Sequence, residues 1–273
     1  MNHLLKHQIR GYALMVSLLV SVSCWIAPVA LAKFRPPPKP SAPGGTATNT
    51  ARYRPPKNPT APGGTGTNTT RGDSCDRNAA GQLTPLVPLS HVGQTSSQRP
   101  TFTWFVPDRT PHPLQFRLFT RTGQPLYRTE IQSQSGIMSV ALPLDQPELT
   151  TGQSYRWQVV LVCNPSTPLT NVVVTAEIEV VKPAASLQTQ LAAAPTSHQR
   201  SDLYAEAGLW YDALAAALKA SETAQNQSTV LDLLDSLAIS EAQPLKDWSD
   251  RLIQIQKIER QRQGQRQLPP PKL

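Results

Sequence analysis

Between residues 101 and 181 apolar and polar positions alternate with a period of two, in short runs cut by turn residues. The runs Thr101–Val106, Gln115–Thr120, Leu126–Ile131, Ile137–Leu142, Ser154–Cys163 and Asn171–Val181 read as strands, with a weaker one at Leu86–His91. Phe102, Trp104 and Val106 share one face, and Tyr155, Trp157, Val159, Leu161 and Cys163 lie opposite Arg156 and Gln158. This predicts a mainly β domain over residues 75–183, built as a two-sheet sandwich. After an Ala-rich connector, 184–195, the spacing lengthens. Ser201 or Asp202 can cap a helix carrying Leu203, Ala207, Trp210, Leu214 and Leu218, and further helices follow over Thr229–Ala238 and Pro244–Gln261. The expectation is an α appendix of two or three helices over 184–262, with residues 263–273 disordered.

Two local patterns sharpen this. Leu149-Thr150-Thr151-Gly152-Gln153-Ser154-Tyr155 resembles the Leu-x-x-Gly-x-x-Tyr tyrosine corner, whose hydroxyl pins backbone upstream. Trp104 resembles the buried tryptophan of a fibronectin-like core. The predicted class is therefore an immunoglobulin- or fibronectin-like sandwich, with Trp104, Gly152, Tyr155 and Trp157 as its structural residues. In the helical part, Tyr204-Ala205-Glu206-Ala207-Gly208-Leu209-Trp210-Tyr211-Asp212-Ala213-Leu214 resembles the turn of a tetratricopeptide unit. A lone unit of this kind does not stand by itself, so the segment is expected to pack on the sandwich or on a partner. Trp210, Tyr211 and Trp248 are core candidates first and interface candidates second.

The N-terminus has Lys6 and Arg10, an apolar run Tyr12–Val22, and a weaker one, Trp25–Leu31, ending Ala30-Leu31-Ala32. That is the form of a signal peptide over residues 1–32, cleaved after Ala32. A retained anchor would use the same stretch, but Pro28 and the Ala-Leu-Ala end argue against it. A lipoprotein at Cys24 would want an apolar residue where Ser21 stands. Export, to the periplasm or beyond the cell, brings the chain into an oxidising compartment. There Cys75 and Cys163 are expected to pair across 88 residues rather than remain two buried thiols, a closure worth about 4–5 kcal/mol in the chain-entropy model.

Composition changes the picture in one region. Proline makes up 27 of 273 residues, and residues 34–50 (FRPPPKPSAPGGTATNT) recur as 53–69 (YRPPKNPTAPGGTGTNT), identical at 12 of 17 positions. The prolines favour polyproline II and the Gly-Gly pairs break it, so residues 33–74 read as a disordered tail. The formal net charge of +8 sits outside the domains: Lys6 and Arg10 leave with the leader, and residues 33–74 carry seven bases against Asp73. Residues 75–273 hold 17 charges of each sign. The tail is thus a spacer, or a tether to anionic wall polymer or lipid; export argues against nucleic acid.

Catalytic patterns are missing: no Gly-x-Ser-x-Gly, Ser-x-x-Lys, His-Glu-x-x-His, P-loop or Gly-x-Gly-x-x-Gly occurs. His91 and His112 have no second ligand at metal spacing, and Asp232 with Asp235, or Glu177 with Glu179, read as solvated faces. A hydrolase would require an open cleft with facing carboxylates or a Ser–His pair. No catalytic, cofactor or metal residue is expected, and no cofactor. The ordering of leader, basic Pro/Gly segment, Pro100–Pro107, Tyr155–Asn164 and Tyr204–Leu214 resembles a cyanobacterial family of exported proteins known as a domain of unknown function. The resemblance covers roughly residues 70–260; it implies export and no activity. The functional expectation is a non-catalytic envelope protein acting as a protein-interaction module for an unidentified envelope protein. The alternative is a module that binds wall glycan or an anionic surface through the basic tail. The membrane is touched only in passing, through the leader.

Overall fold

A computed structural model describes residues 53–63, 66–69, 74–221 and 228–266. The expected leader, the first repeat copy and residues 267–273 lie outside the described residues. Among the described residues nine strands run in chain order: β1 Gly66–Thr69, β2 Thr84–Pro85, β3 Gly93–Thr95, β4 Thr101–Val106, β5 Pro113–Thr120, β6 Pro125–Gln132, β7 Gly136–Ala141, β8 Ser154–Leu161 and β9 Val172–Val180. The described helices follow: α1 Ala185–Ala193, α2 Ser197–Glu206, α3 Trp210–Ser221, α4 Thr229–Glu241 and α5 Lys246–Arg266.

The strands form two sheets. The larger has the order β1-β9-β8-β5-β6, with β3 added parallel to β9; the smaller has the order β2-β4-β7. Alternation puts Phe102 and Trp104 of the small sheet against Phe116 and Trp157 of the large one, with ring centroids 4.9 to 6.5 Å apart. Burying these rings supplies most of the drive for the sheets to face each other.

The helices are no appendix. One hydrophobic cluster runs from Trp104 and Trp157 through Trp210 and Tyr211 to Leu234, Leu237, Leu252 and Ile255. Strand β4 is consequently buried on both faces, Phe105 and Thr103 included, and a Cβ at Gly81 would touch both Phe105 and Ile258 of α5. An antiparallel strand with a helical layer behind it loses its solvent side.

Three expectations are corrected. Leu86–His91 is not a strand: Trp210 Nε1 and Trp248 Nε1 donate to the carbonyls of Leu86 and Val87 at 2.8 and 3.2 Å, and the Leu89 and Ser90 amides go to Glu241. Pro88, which lacks an N–H, takes one ladder donor out of this segment. Among the described residues five helices replace two or three, because the Ala-rich connector folds as α1 and the turn at Gly208 splits the first expected helix into α2 and α3; α5 also runs on to Arg266. Finally, the expected disorder of 33–74 fails for residues 53–63 and 66–69, which are part of the fold.

Candidate functional site

The second copy of the proline repeat lies along the body of the molecule. Its anchor is Tyr53, 2% exposed, whose ring meets Trp210 edge-on at 5.1 Å and stacks on His91 at 6.0 Å. The Tyr53 amide donates to Ser236 Oγ of α4 and the Arg54 amide to the carbonyl of Ala205. Pro55, Pro56, Pro59 and Pro62 have no amide proton to satisfy, so an extended course leaves few orphan donors. Further along, the Val92 amide donates to the Thr60 carbonyl at 2.9 Å and Thr60 Oγ1 to Glu179 at 3.2 Å. The Gly63 amide donates to Glu177 Oε2 at 2.8 Å, and β1 then pairs antiparallel with β9 from Gly66↔Thr175 to Thr69↔Val172. Gly208, at φ +80°, ends the turn between α2 and α3; a Cβ there would meet the Arg54 carbonyl at 3.0 Å. Glycine at that turn is what lets the peptide approach.

Beneath Tyr53 is a polar chain, buried at His91 and Glu241 and open to solvent at Ser90. Ser90 Oγ donates to Glu241 Oε1 at 2.6 Å, and the other Glu241 oxygen accepts the Leu89 and Ser90 amides. With its proton directed to Glu241, Ser90 Oγ accepts from His91 Nδ1 at 2.9 Å, and His91 Nε2 accepts from the Tyr53 hydroxyl at 2.7 Å. Burial pulls the His91 imidazole down to about 4, so it is neutral near pH 7. Burial, then the nearby Glu241 charge, raises the Tyr53 phenol above its ordinary value. A Ser–His pair is thus present: His91 is 2% exposed beneath Tyr53, Ser90 lies at the surface, and the serine proton is aimed at a carboxylate. The arrangement holds the Tyr53 end of the peptide.

Two other features complete the survey. An apolar groove of about 440 Å³ is walled by Pro85, Leu89, Pro244, Leu245 and Trp248, with the Arg251 guanidinium 5.7 Å above the Trp248 ring. Cys75 and Cys163 form a disulfide. Beside it, ligand atoms of Cys75, Asp108 and His112 lie within 4.8 Å of one another. The bridged sulfur carries no thiolate for a metal. Asp108 Oδ1 and Asp76 Oδ2 accept backbone amides from Asp76, Arg109 and Thr110, holding the loop against the bridge.

The residues singled out in the sequence take these places. Trp104 is fully buried and its Nε1 has no hydrogen-bond partner among the described residues. Gly152 adopts φ +83° and donates to the Val180 carbonyl, and the Tyr155 hydroxyl accepts the Thr150 amide at 2.8 Å. Trp157 Nε1 donates to the Tyr211 hydroxyl, which donates to the Glu177 carbonyl, both at 2.8 Å. Trp210, Tyr211 and Trp248 are buried, as core candidates should be, and each joins a helix to a strand or to the segment after β2. Sequence reasoning missed Tyr53, Ser90, His91 and Glu241. The available signal was an aromatic residue opening each repeat copy, which a purely solvated tail does not require.

No curated protein matches the chain. A family model described as Domain of Unknown Function (DUF928) matches residues 66–245, from β1 to the turn before α5, and stops short of the Tyr53–Gly63 stretch. With well over half of its length matched, the chain belongs to the DUF928 family.

Proposed function

We propose that this chain is an exported, non-catalytic protein of a cyanobacterial cell envelope that acts as a protein-interaction module. The observation that carries the reading is the seated peptide: an extended proline-rich segment held by an aromatic anchor, backbone hydrogen bonds and an added strand. These are the devices by which peptide-recognition modules bind. Export is supported by the leader pattern of residues 1–32 and by the Cys75–Cys163 bridge; among the described residues no helix is long and apolar enough to cross a membrane. Kinship with immunoglobulin- or fibronectin-like sandwiches is supported by the orders β2-β4-β7 and β9-β8-β5-β6, and by the Tyr155 corner.

A second reading, capture of wall glycan or another anionic surface, draws on the exposed Arg54 and Lys57 within the seated stretch. Co-sedimentation with purified cell wall separates the two. Binding that salt abolishes and that Arg54→Ser with Lys57→Ser weakens supports capture. Absence of wall binding, with a synthetic 53–69 peptide bound by a Tyr53→Ala chain, supports the peptide module; a Tyr53→Ala chain that folds yet ignores the peptide overturns it.

A further inference from the structure

The repeat exists twice, whereas its seat exists once. We propose that the seat is a receptor for the repeat unit as such, and that its second occupant is the first copy, residues 34–50, supplied by another copy of this chain. This deepens the interaction-module reading and rests on it.

All but one of the hydrogen bonds the seat makes with residues 53–69 fall on positions where 34–50 offers the same group. Arg35 supplies the amide and carbonyl of Arg54, Ser41 the hydroxyl of Thr60, and Gly44 the amide of Gly63. Residues 47–50 supply the backbone of β1, whose pairing with β9 is a main-chain ladder. The five differing positions change one bond: Phe34 stands where Tyr53 has the hydroxyl that reaches His91. The first copy therefore fits the same seat with a weaker anchor, by roughly tenfold for one buried hydrogen bond.

The built-in copy has a second advantage. It ends at Thr69, shortly before the bridged Cys75, and a short tether gives an effective concentration in the millimolar range. Dilute chains keep their own copy. Where chains crowd to comparable local concentrations, the first copy of one displaces the second copy of its neighbour, and the displaced copy is free to fill another seat. No seat is left empty, so the exchange has the low cost of a domain swap. Residues 51–74 then become a linker spanning up to about 80 Å, enough to reach another molecule. The link runs from the tail of one chain to the body of the next, and so builds dimers or short chains.

The register supplies the test. Asn68 faces Val173, so in the exchanged state Asn49 of the donor faces Val173 of the acceptor. Full-length chains on a Cys24→Ser background, one with Asn49→Cys and one with Val173→Cys, are mixed from about 10 µM to about 1 mM and treated with a short bismaleimide, which spares the native disulfide. An interchain product is expected that grows with concentration and is suppressed by the 53–69 peptide. With Tyr53→Phe in the acceptor it should appear at five- to tenfold lower concentration. A single chain with Asn68→Cys and Val173→Cys closing on itself reports an intact seat. If that control closes while no interchain product forms at the highest concentration, or if the product ignores Tyr53→Phe, the exchange is overturned. Peptide binding to a Tyr53→Ala chain would then still leave the module reading standing.

Discussion

At Tyr53 a single hydroxyl connects a proline-rich peptide to the buried His91 and, through the surface Ser90, to the buried Glu241. Its removal in Tyr53→Phe strands His91 Nε2 without a donor, and the expected cost is about 1–2 kcal/mol in urea unfolding. His91 makes stability depend on acid. Its folded value, about 4, lies below the ordinary 6.5, so its contribution is complete above pH 6.5 and is lost as the pH falls toward 4. Asp212, buried in α3 and raised to about 6 mainly by desolvation, acts in the opposite sense, costing stability as the pH rises through that value. A His91→Gln chain is therefore expected to lose about 2 kcal/mol less than the parent between about pH 7 and 5, read by urea denaturation at each pH. Equal losses in the two proteins would remove His91 as the acid-sensitive group. The pattern of polar and apolar residues could not show any of this, because His91 and Glu241 are 150 residues apart and only folding joins them.

Elements meet here through short, specific concessions. The α2–α3 turn admits the peptide because Gly208 has no side chain; Gly208→Ala adds αL strain of about 1–2 kcal/mol and crowds the Arg54 carbonyl. Its expected signature is a lower Tm together with faster tryptic cleavage after Lys57, whereas a lower Tm with unchanged cleavage would confine the effect to the turn. The strands from 101 to 181 were legible because each carries its own period-two pattern. Leu86–His91 misled for a physical reason: its apolar residues are buried by helices rather than by a sheet partner, and burial alone does not distinguish the two. Helix α1 was illegible since its Ala-rich face buries only Leu187. The bridge between Cys75 and Cys163 ties the entry of the fold to the end of β8; Cys163→Ser is expected to cost about 2–5 kcal/mol in denaturant midpoint experiments.

On the scale of the molecule, the strands and helices share a single core, so they should melt together. Far-ultraviolet circular dichroism, which follows the helices, and the fluorescence of Trp104 and Trp157 between the sheets are expected to give coincident transitions. Two separated transitions would mean that the helical layer opens independently. The single transition follows from Trp210, Tyr211 and Trp248, each of which spans from a helix to a strand or to the β2 loop.

By itself the sequence determined the strands, the pairing of two cysteines, the tyrosine corner and the duplication of a proline unit, since each is written in local spacing or in composition. Tertiary structure decided that the second copy of that unit is held against the fold, which elements Trp210, Tyr211 and Trp248 join, and that Ser90, His91 and Glu241 back the Tyr53 anchor. Those outcomes depend on which distant surfaces exclude water together. No local pattern encodes that, because the aromatic, histidine and carboxylate that meet at the seat lie on three widely separated stretches of chain.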